Sequence, residues 1–173
     1  MSDLDVSARG AAREREPIRK RPGSYARANL QNYDEFSKTF SWADARGLLD
    51  GLPGGGLNIA YEAVDRHVLA GHGGKVALRC IGRDDRISDC TYAELCEDTN
   101  RFANVLAAAG IGKGDSVFAL LGRVPQLYIA ALGTLKNGSV FSPLFSAFGP
   151  EPSKARMSIG NAKALITSEA LYR

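Results

Sequence analysis

Three short apolar runs, Ser116–Leu121, Ser139–Phe145 and Ala164–Thr167, recur along the second half of the chain, separated by stretches with helical spacing. Runs without polar–apolar alternation suit strands covered on both faces, and strands alternating with helices fold as a parallel sheet with helices packed against it. The fold class read from this pattern is α/β, with a mostly parallel sheet. Ligands of such sheets gather beyond the carboxyl ends of the strands, which directs attention to the loops Gly122–Pro125, Ser146–Pro152 and Ser168–Arg173.

The remaining elements follow from local signals. Asn58 is a suitable N-cap for a helix from Ile59 to about Leu69, with Ile59, Ala60, Ala63, Val64, His67 and Val68 on one stripe. Lys75–Ile81 and Arg86–Cys90 read as the two arms of a β-hairpin turning through Gly82-Arg-Asp-Asp85. Thr91-Tyr-Ala-Glu94 fits a capping box, and Leu95, Thr99, Phe102, Leu106 and Ala109 repeat at helical spacing until Gly110. A helix over Gln126–Lys136 starts after Pro125 and stops at Asn137-Gly138, and a short helix is expected over Ser153–Ile159.

The chain divides by composition. Residues 1–24 mix Arg, Glu, Pro and Gly with few large apolar groups and read as a disordered tail. Residues 25–57 read as an irregular amino-terminal arm and linker, with Tyr33, Phe36, Phe40 and Trp42 unevenly spaced as anchors for another surface. Residues 58–173 hold the α/β pattern. At 173 residues, 45% apolar and 24% charged, the chain is long enough to bury a core and lies outside disordered, collagen-like and membrane-bundle compositions.

Net charge is +3, and the six basic and four acidic residues of 1–24 carry +2 of it, leaving the rest nearly neutral. Nucleic acid is not expected as a partner, because binding to a phosphate backbone needs a clustered basic face. No stretch has the apolar length of a membrane span and the start MSDLDVSARG lacks an export signal, so neither a membrane nor export is expected. Cys80, Cys90 and Cys96 form no C-x-x-C pair and leave one thiol over under any disulfide scheme, which places the chain in a reducing cytoplasm.

Candidate chemistry is sparse. Gly110-Ile-Gly-Lys-Gly114 has the glycines of a phosphate cradle but follows a helix and precedes a strand, the reverse of the order a cradle needs, so it reads as a C-cap and turn. Gly71-His-Gly-Gly-Lys75 reads as a connector. His67 sits on an apolar stripe and His72 in a glycine run, with no nucleophile set beside either. Cys90 and Cys96 read as small packing residues, Lys113 and Asp115 as turn residues, and Arg123, in a strand-exit loop, as facing water with a ligand as the lesser alternative. No residue is singled out as catalytic or metal-binding.

Asn58-Ile-Ala-Tyr-Glu-Ala-Val-Asp-Arg-His67, Thr91-Tyr-Ala-Glu-Leu95, Asn100-Arg-Phe-Ala-Asn-Val-Leu106, Gly112-Lys-Gly-Asp115 and Phe141-Ser-Pro-Leu-Phe-Ser-Ala-Phe-Gly-Pro-Glu151 share one further property. In this order and spacing the chain resembles, from about Tyr33 to Arg173, the amino-terminal part of AMP-forming acetyl-CoA and acyl-CoA synthetases of the acyl-adenylate-forming superfamily. The resemblance implies that 58–173 is the first part of a large AMP-binding domain. It also implies an activity: a carboxylic acid is joined to ATP as an acyl-adenylate with release of pyrophosphate, and the acyl group then passes to the thiol of CoA, with ATP, magnesium and CoA as the implied cofactors. By the same resemblance Phe145, Ser146 and Ala147 lie where the CoA nucleotide is held, and Arg173 matches a position that carries an arginine for a CoA phosphate, a pairing that suits a guanidinium fork.

There are departures. The family's glycine-rich phosphate loop, aromatic–Thr–Glu motif, ribose-binding aspartate and carboxyl-terminal lysine are not in this sequence. Thr167-Ser168-Glu169 shares the start of the phosphate loop but has Glu where Gly is required, and Asn137-Gly-Ser139 stands where an apolar residue, Gly and Ala are usual. The reading is thus the amino-terminal portion of an acetate or short-chain acyl-CoA ligase, inactive by itself. The alternative is a non-catalytic module, associating with itself or with a full-length synthetase through the arm Tyr33–Trp42.

Overall fold

The computed structural model describes residues 29–82 and 84–172. The expected tail over 1–24, the hairpin residue Arg83 and the site candidate Arg173 lie outside the described residues.

The chain divides into two units, the boundary in sequence falling between Ser41 and Trp42. In the first, α1 (Tyr33–Thr39) forms inside the expected arm because Asn32 caps it: its Oδ1 accepts from Glu35 N at 3.2 Å and its Nδ2 donates to Glu35 Oε2 at 2.9 Å. Asp34 and Glu35 in the first turn and Lys38 in the last complement the helix dipole. Phe36 and Phe40, one helical turn apart, bring their rings to 5.5 Å.

The second unit begins with α2 (Trp42–Arg46) and a glycine-rich linker anchored on the next helical segment. Glu62 accepts from the N–H groups of Asp50 at 3.2 Å and Gly51 at 2.7 Å, while Arg66 pairs with Glu62 at 2.8 Å and donates to Leu48 O at 3.2 Å. That segment starts at Ile59 under the Asn58 cap, whose Oδ1 accepts from Ala60 N and Tyr61 N and whose Nδ2 donates to Leu135 O. It is not a regular α-helix. Tyr61–Asp65 and Val68–His72 are π-helical, and the wider turn moves the apolar stripe, burying Ala60 and Val64 while Ile59 and Ala63 face solvent.

The hairpin forms as expected, β1 (Val76–Ile81) antiparallel to β2 (Ile87–Thr91), with Cys80 opposite Ser88. Thr91 then opens α3 (Tyr92–Ala108) through a complete capping box. Leu95, Thr99 and Leu106 are buried as the periodicity requires, whereas Ala109 falls beyond the helix and is exposed. The Gly110–Gly114 segment is the C-cap and turn that its position implied: Gly110 has φ +77°, and Ile111 N donates back to Leu106 O.

Strand β3 (Ser116–Leu120), helix α4 (Pro125–Lys136), strand β4 (Val140–Leu144), helix α5 (Pro150–Ile159), strand β5 (Ala162–Thr167) and the turn of helix α6 (Glu169–Tyr172) complete the unit. The sheet is parallel in the order β4-β3-β5, with Val117 opposite Phe141 and Ala164. Pro143 is tolerated in β4 because, among the described residues, that strand pairs on one side alone, with β3. Central β3 supplies Val117, Phe118 and Ala119 to the core.

Two close approaches fix how helices meet this core. A Cβ on Gly133 of α4 would stand 2.8 Å from Phe102 Cδ1 and 2.9 Å from Thr99 O of α3. One on Gly160 would stand 2.5 Å from Phe118 Cζ. Helix α5 starts three residues earlier than the sequence suggests: Pro150 and Pro152 read as loop residues, yet proline's fixed φ and missing N–H suit a first helical turn. β5 likewise starts at Ala162, two residues before the expected run.

Candidate ligand crevice at the switch point of the sheet

The chain leaves central β3 for the edge strand β4 and returns across to β5 on the other side, so its direction through the sheet reverses about β3. Open parallel sheets bind ligands beyond the carboxyl ends of the strands at such a reversal. Two clefts lie there, with Thr167 at the end of β5 lining both. One, of about 450 Å³, is apolar and opens beside α3 and α4, between Phe102, Leu121, Val124, Ile129 and Ile166. The other, of about 340 Å³, lies between the start of α5 and α6. The three loops singled out from the sequence all reach these walls: Val124 and Ser168 line the first cleft, and Phe148–Pro150, Leu171 and Tyr172 the second.

The residues that the resemblance assigns to CoA precede the wall residue Phe148 in the chain and line neither cleft. Phe145, Ser146 and Ala147 form the exposed turn after β4, closed by Phe148 N donating to Phe145 O at 2.9 Å. The Phe145 ring is 65% exposed and meets Phe148 edge-on at 5.7 Å. Arg156 of α5 lies over the other ring of that pair, its guanidinium carbon 4.1 Å from the Phe148 centroid. The sequence reading missed Phe148, Ser153 and Arg156. Only the one-turn spacing of Ser153 from Gly149 and of Arg156 from Pro152 hinted at them, and it required the earlier start of α5.

Other singled-out residues take structural roles. His67 stacks on Tyr92 at 4.8 Å and His72 is exposed, as are Lys113 and Arg123. Asp115 Oδ2 accepts from Gly112 N at 2.9 Å. Cys90 is half-buried beside its own strand end, and its thiol donates to Thr91 O. Cys96 does more than pack. Its thiol donates to Asp65 Oδ1 at 3.4 Å, next to Lys136, which pairs with Asp65 at 2.9 Å and donates to Asn100 Oδ1 at 2.8 Å. Burial pushes the Cys96 thiol up, against the pull of Lys136. Among the described residues no three His, Cys, Asp or Glu side chains gather as a metal site.

The unusual Asn137-Gly-Ser139 turn is internally satisfied. Buried Ser139 donates to Gly112 O at 2.7 Å, and Asn137 Nδ2 donates to Ile111 O at 2.8 Å and Ser139 Oγ at 2.9 Å. These bonds hold the end of α4 against the turn before β3, a task the apolar residues usual there would leave to packing.

The strand order and the helices between the strands define, among the described residues, a mixed α/β fold with a parallel three-stranded sheet and an antiparallel hairpin. Residues 65–173 match the family described as AMP-binding enzyme, and the chain belongs to that family. It is 40% identical over 146 residues to an acetyl-coenzyme A synthetase of Bacillus subtilis (strain 168), a match covering 83% of this chain and 25% of that one. It is 36% identical over 142 residues to an acetyl-coenzyme A synthetase of Streptomyces avermitilis, covering 80% of this chain and 21% of the relative. The crystal structure of a Brucella canis acyl-CoA synthetase superposes with a TM-score of 0.74 at 38% identity, over 80% of this chain and 25% of that chain. The chain therefore spans about a quarter of the length of the relatives it matches.

Proposed function

We propose that this chain is the amino-terminal portion of an AMP-forming acetate or short-chain acyl-CoA ligase, and that its share of the work is to present a ledge for CoA. The observation that carries this reading is the exposed Phe145 ring with Ser146 and Ala147 at the carboxyl end of the sheet, in a chain 40% identical to an acetyl-coenzyme A synthetase. An exposed aromatic face beside two small residues suits a stacked nucleotide base, because the small side chains let a ring approach the backbone. Arg173 would pair with a CoA phosphate. In the full reaction ATP supplies the adenylate, magnesium balances the phosphate charge and CoA supplies the accepting thiol. The described residues do not fit magnesium, since no carboxylates gather at the crevice, and no step is assigned to it here.

In this reading the adenylate is formed by the part of these ligases beyond the matched quarter, and the isolated chain is inactive. Two measurements test it. Purified chain gives no ATP–pyrophosphate exchange with acetate above background, and robust exchange would refute the division of labour. Calorimetry with CoA gives weak saturable binding that Phe145→Ala abolishes; binding unchanged in that variant would remove the ledge. We assign the protein to the cytoplasm, where its three free cysteines stay reduced.

A second reading rests on α1, where Tyr33 is 68% exposed: a non-catalytic module that associates with itself or a full-length synthetase through this aromatic arm. Size-exclusion chromatography alone and with such a relative separates the two, because a monomer indifferent to the relative excludes the module.

A further inference from the structure

We propose that Cys80 and Cys90 form a dithiol site on the β1–β2 hairpin that captures one trivalent arsenical, an arsenoxide R–As=O, by bridging the two sulfurs through arsenic. In the hairpin register Cys80 stands opposite Ser88 and Cys90 opposite Leu78. A step of two residues along a strand returns to the same face, so Leu78, Cys80, Ser88 and Cys90 form one patch in which the two thiols are diagonal neighbours. Both cysteines are half-buried and neither is in a disulfide.

Spacing decides what can join them. Diagonal neighbours on a sheet face hold their Cβ atoms about 6–7 Å apart, whereas a disulfide needs about 3.5–4.5 Å. A direct S–S bond would therefore distort the hairpin, while an atom bonded to both sulfurs lengthens the reach by one bond and fits the diagonal. Charge decides which atom. The Cys90 thiol donates to Thr91 O, and burial, followed by the Glu94 and Asp98 carboxylates of α3 and by Cys80 itself, pushes that thiol up. Cu(I) held by two thiolates leaves a net negative charge beside those carboxylates. An arsenoxide takes both thiols in the protonated form that this setting favours. Two As–S bonds form, the As–O bond breaks, and the oxygen leaves as water with the two thiol protons. Arsenic stays trivalent, no electrons are transferred, and the product is neutral.

The test treats the whole reduced 173-residue chain with phenylarsine oxide and reads intact mass and peptide alkylation. Expected is one adduct per chain, with Cys80 and Cys90 protected from iodoacetamide and Cys96 still alkylated. Excess 2-mercaptoethanol leaves the adduct in place and 2,3-dimercaptopropanol removes it, because only a second dithiol matches two tethered sulfurs. Cys80→Ser and Cys90→Ser each weaken retention at least about a hundredfold, the scale on which a second tethered contact acts, and Cys96→Ser leaves it unchanged. Should the serine variants misfold, the protection pattern of the wild-type chain decides alone. Absence of the adduct, protection of Cys96 in place of either hairpin thiol, loss of the wild-type adduct to 2-mercaptoethanol, or retention unchanged in both hairpin variants would overturn the assignment.

Discussion

Lys136 shows how much one side chain holds at this site. Its side chain is 10% exposed, and its ammonium joins Asp65 of the π-helical segment to Asn100 and the Cys96 carbonyl of α3, so three elements meet at one charge. Removing one partner of a shielded pair leaves the other without compensation, a larger loss than the pair itself is worth. Lys136→Met is expected to lower stability by about 2–3 kcal/mol, read as a drop in the urea midpoint at unchanged slope. A Lys136→Met, Asp65→Leu double variant should recover most of it. Cys96 illustrates what single residues conceal: helical spacing placed it near the buried side, but its polar neighbours come from positions 31 earlier and 40 later in the chain.

Among the elements, α3 owes its start to two side chains. The Thr91 hydroxyl accepts from Glu94 N at 3.3 Å, and the Glu94 carboxylate accepts from Thr91 N at 2.8 Å. Thr91→Ala should cost about 1 kcal/mol, a loss that chemical denaturation detects, while Thr91→Ser should retain most of the cap. This element was legible in the sequence because capping box and apolar stripe agree on one helix. The same holds for the hairpin and for β3, whose signals are short-range. The segment after Asn58 was legible in place but not in form, since bonding that skips one more residue rotates Ile59 and Ala63 outward without altering composition. The start of α5 was misplaced because proline signals both loop and first turn, and only the packing of Ser153 decides between them.

At the scale of the whole molecule, three carboxylates tie stability to pH in one direction. Burial works to raise the Glu62 carboxyl, but hydrogen bonds from Gly51, Arg66 and Asp50 outweigh it and hold it below its usual range. The Arg79 side chain does the same for Asp89, and Thr91 for Glu94. A carboxyl lowered on folding contributes stability above its unfolded value, near pH 4, and that contribution disappears as pH falls through the folded value. Urea midpoints of wild type and Glu62→Gln should differ at pH 7, with the gap narrowing progressively as pH falls below about 4; a gap that shows no pH dependence would assign the effect to packing. The crevice itself was only half legible. The loops could be named because strand order dictates where they lie, but the walls between α5 and α6 join residues 148–157 to 165–172 and exist only once the sheet has formed.

The approach of Gly133 to Phe102 carries one more consequence, for how this chain tolerates variation. Phe102 touches the α4 backbone on one side and lines the larger cleft on the other, so the spacing of two helices and the shape of a cavity wall are set by the same missing methyl group. A saturation library at position 133 should return glycine almost alone even when selected only for folding, whereas Gln126 and Ile129 on the same helix should accept substitutions that remodel the cavity. Diversity for altering what the crevice admits is therefore to be sought on the outer turns of α4, with the contact point left untouched.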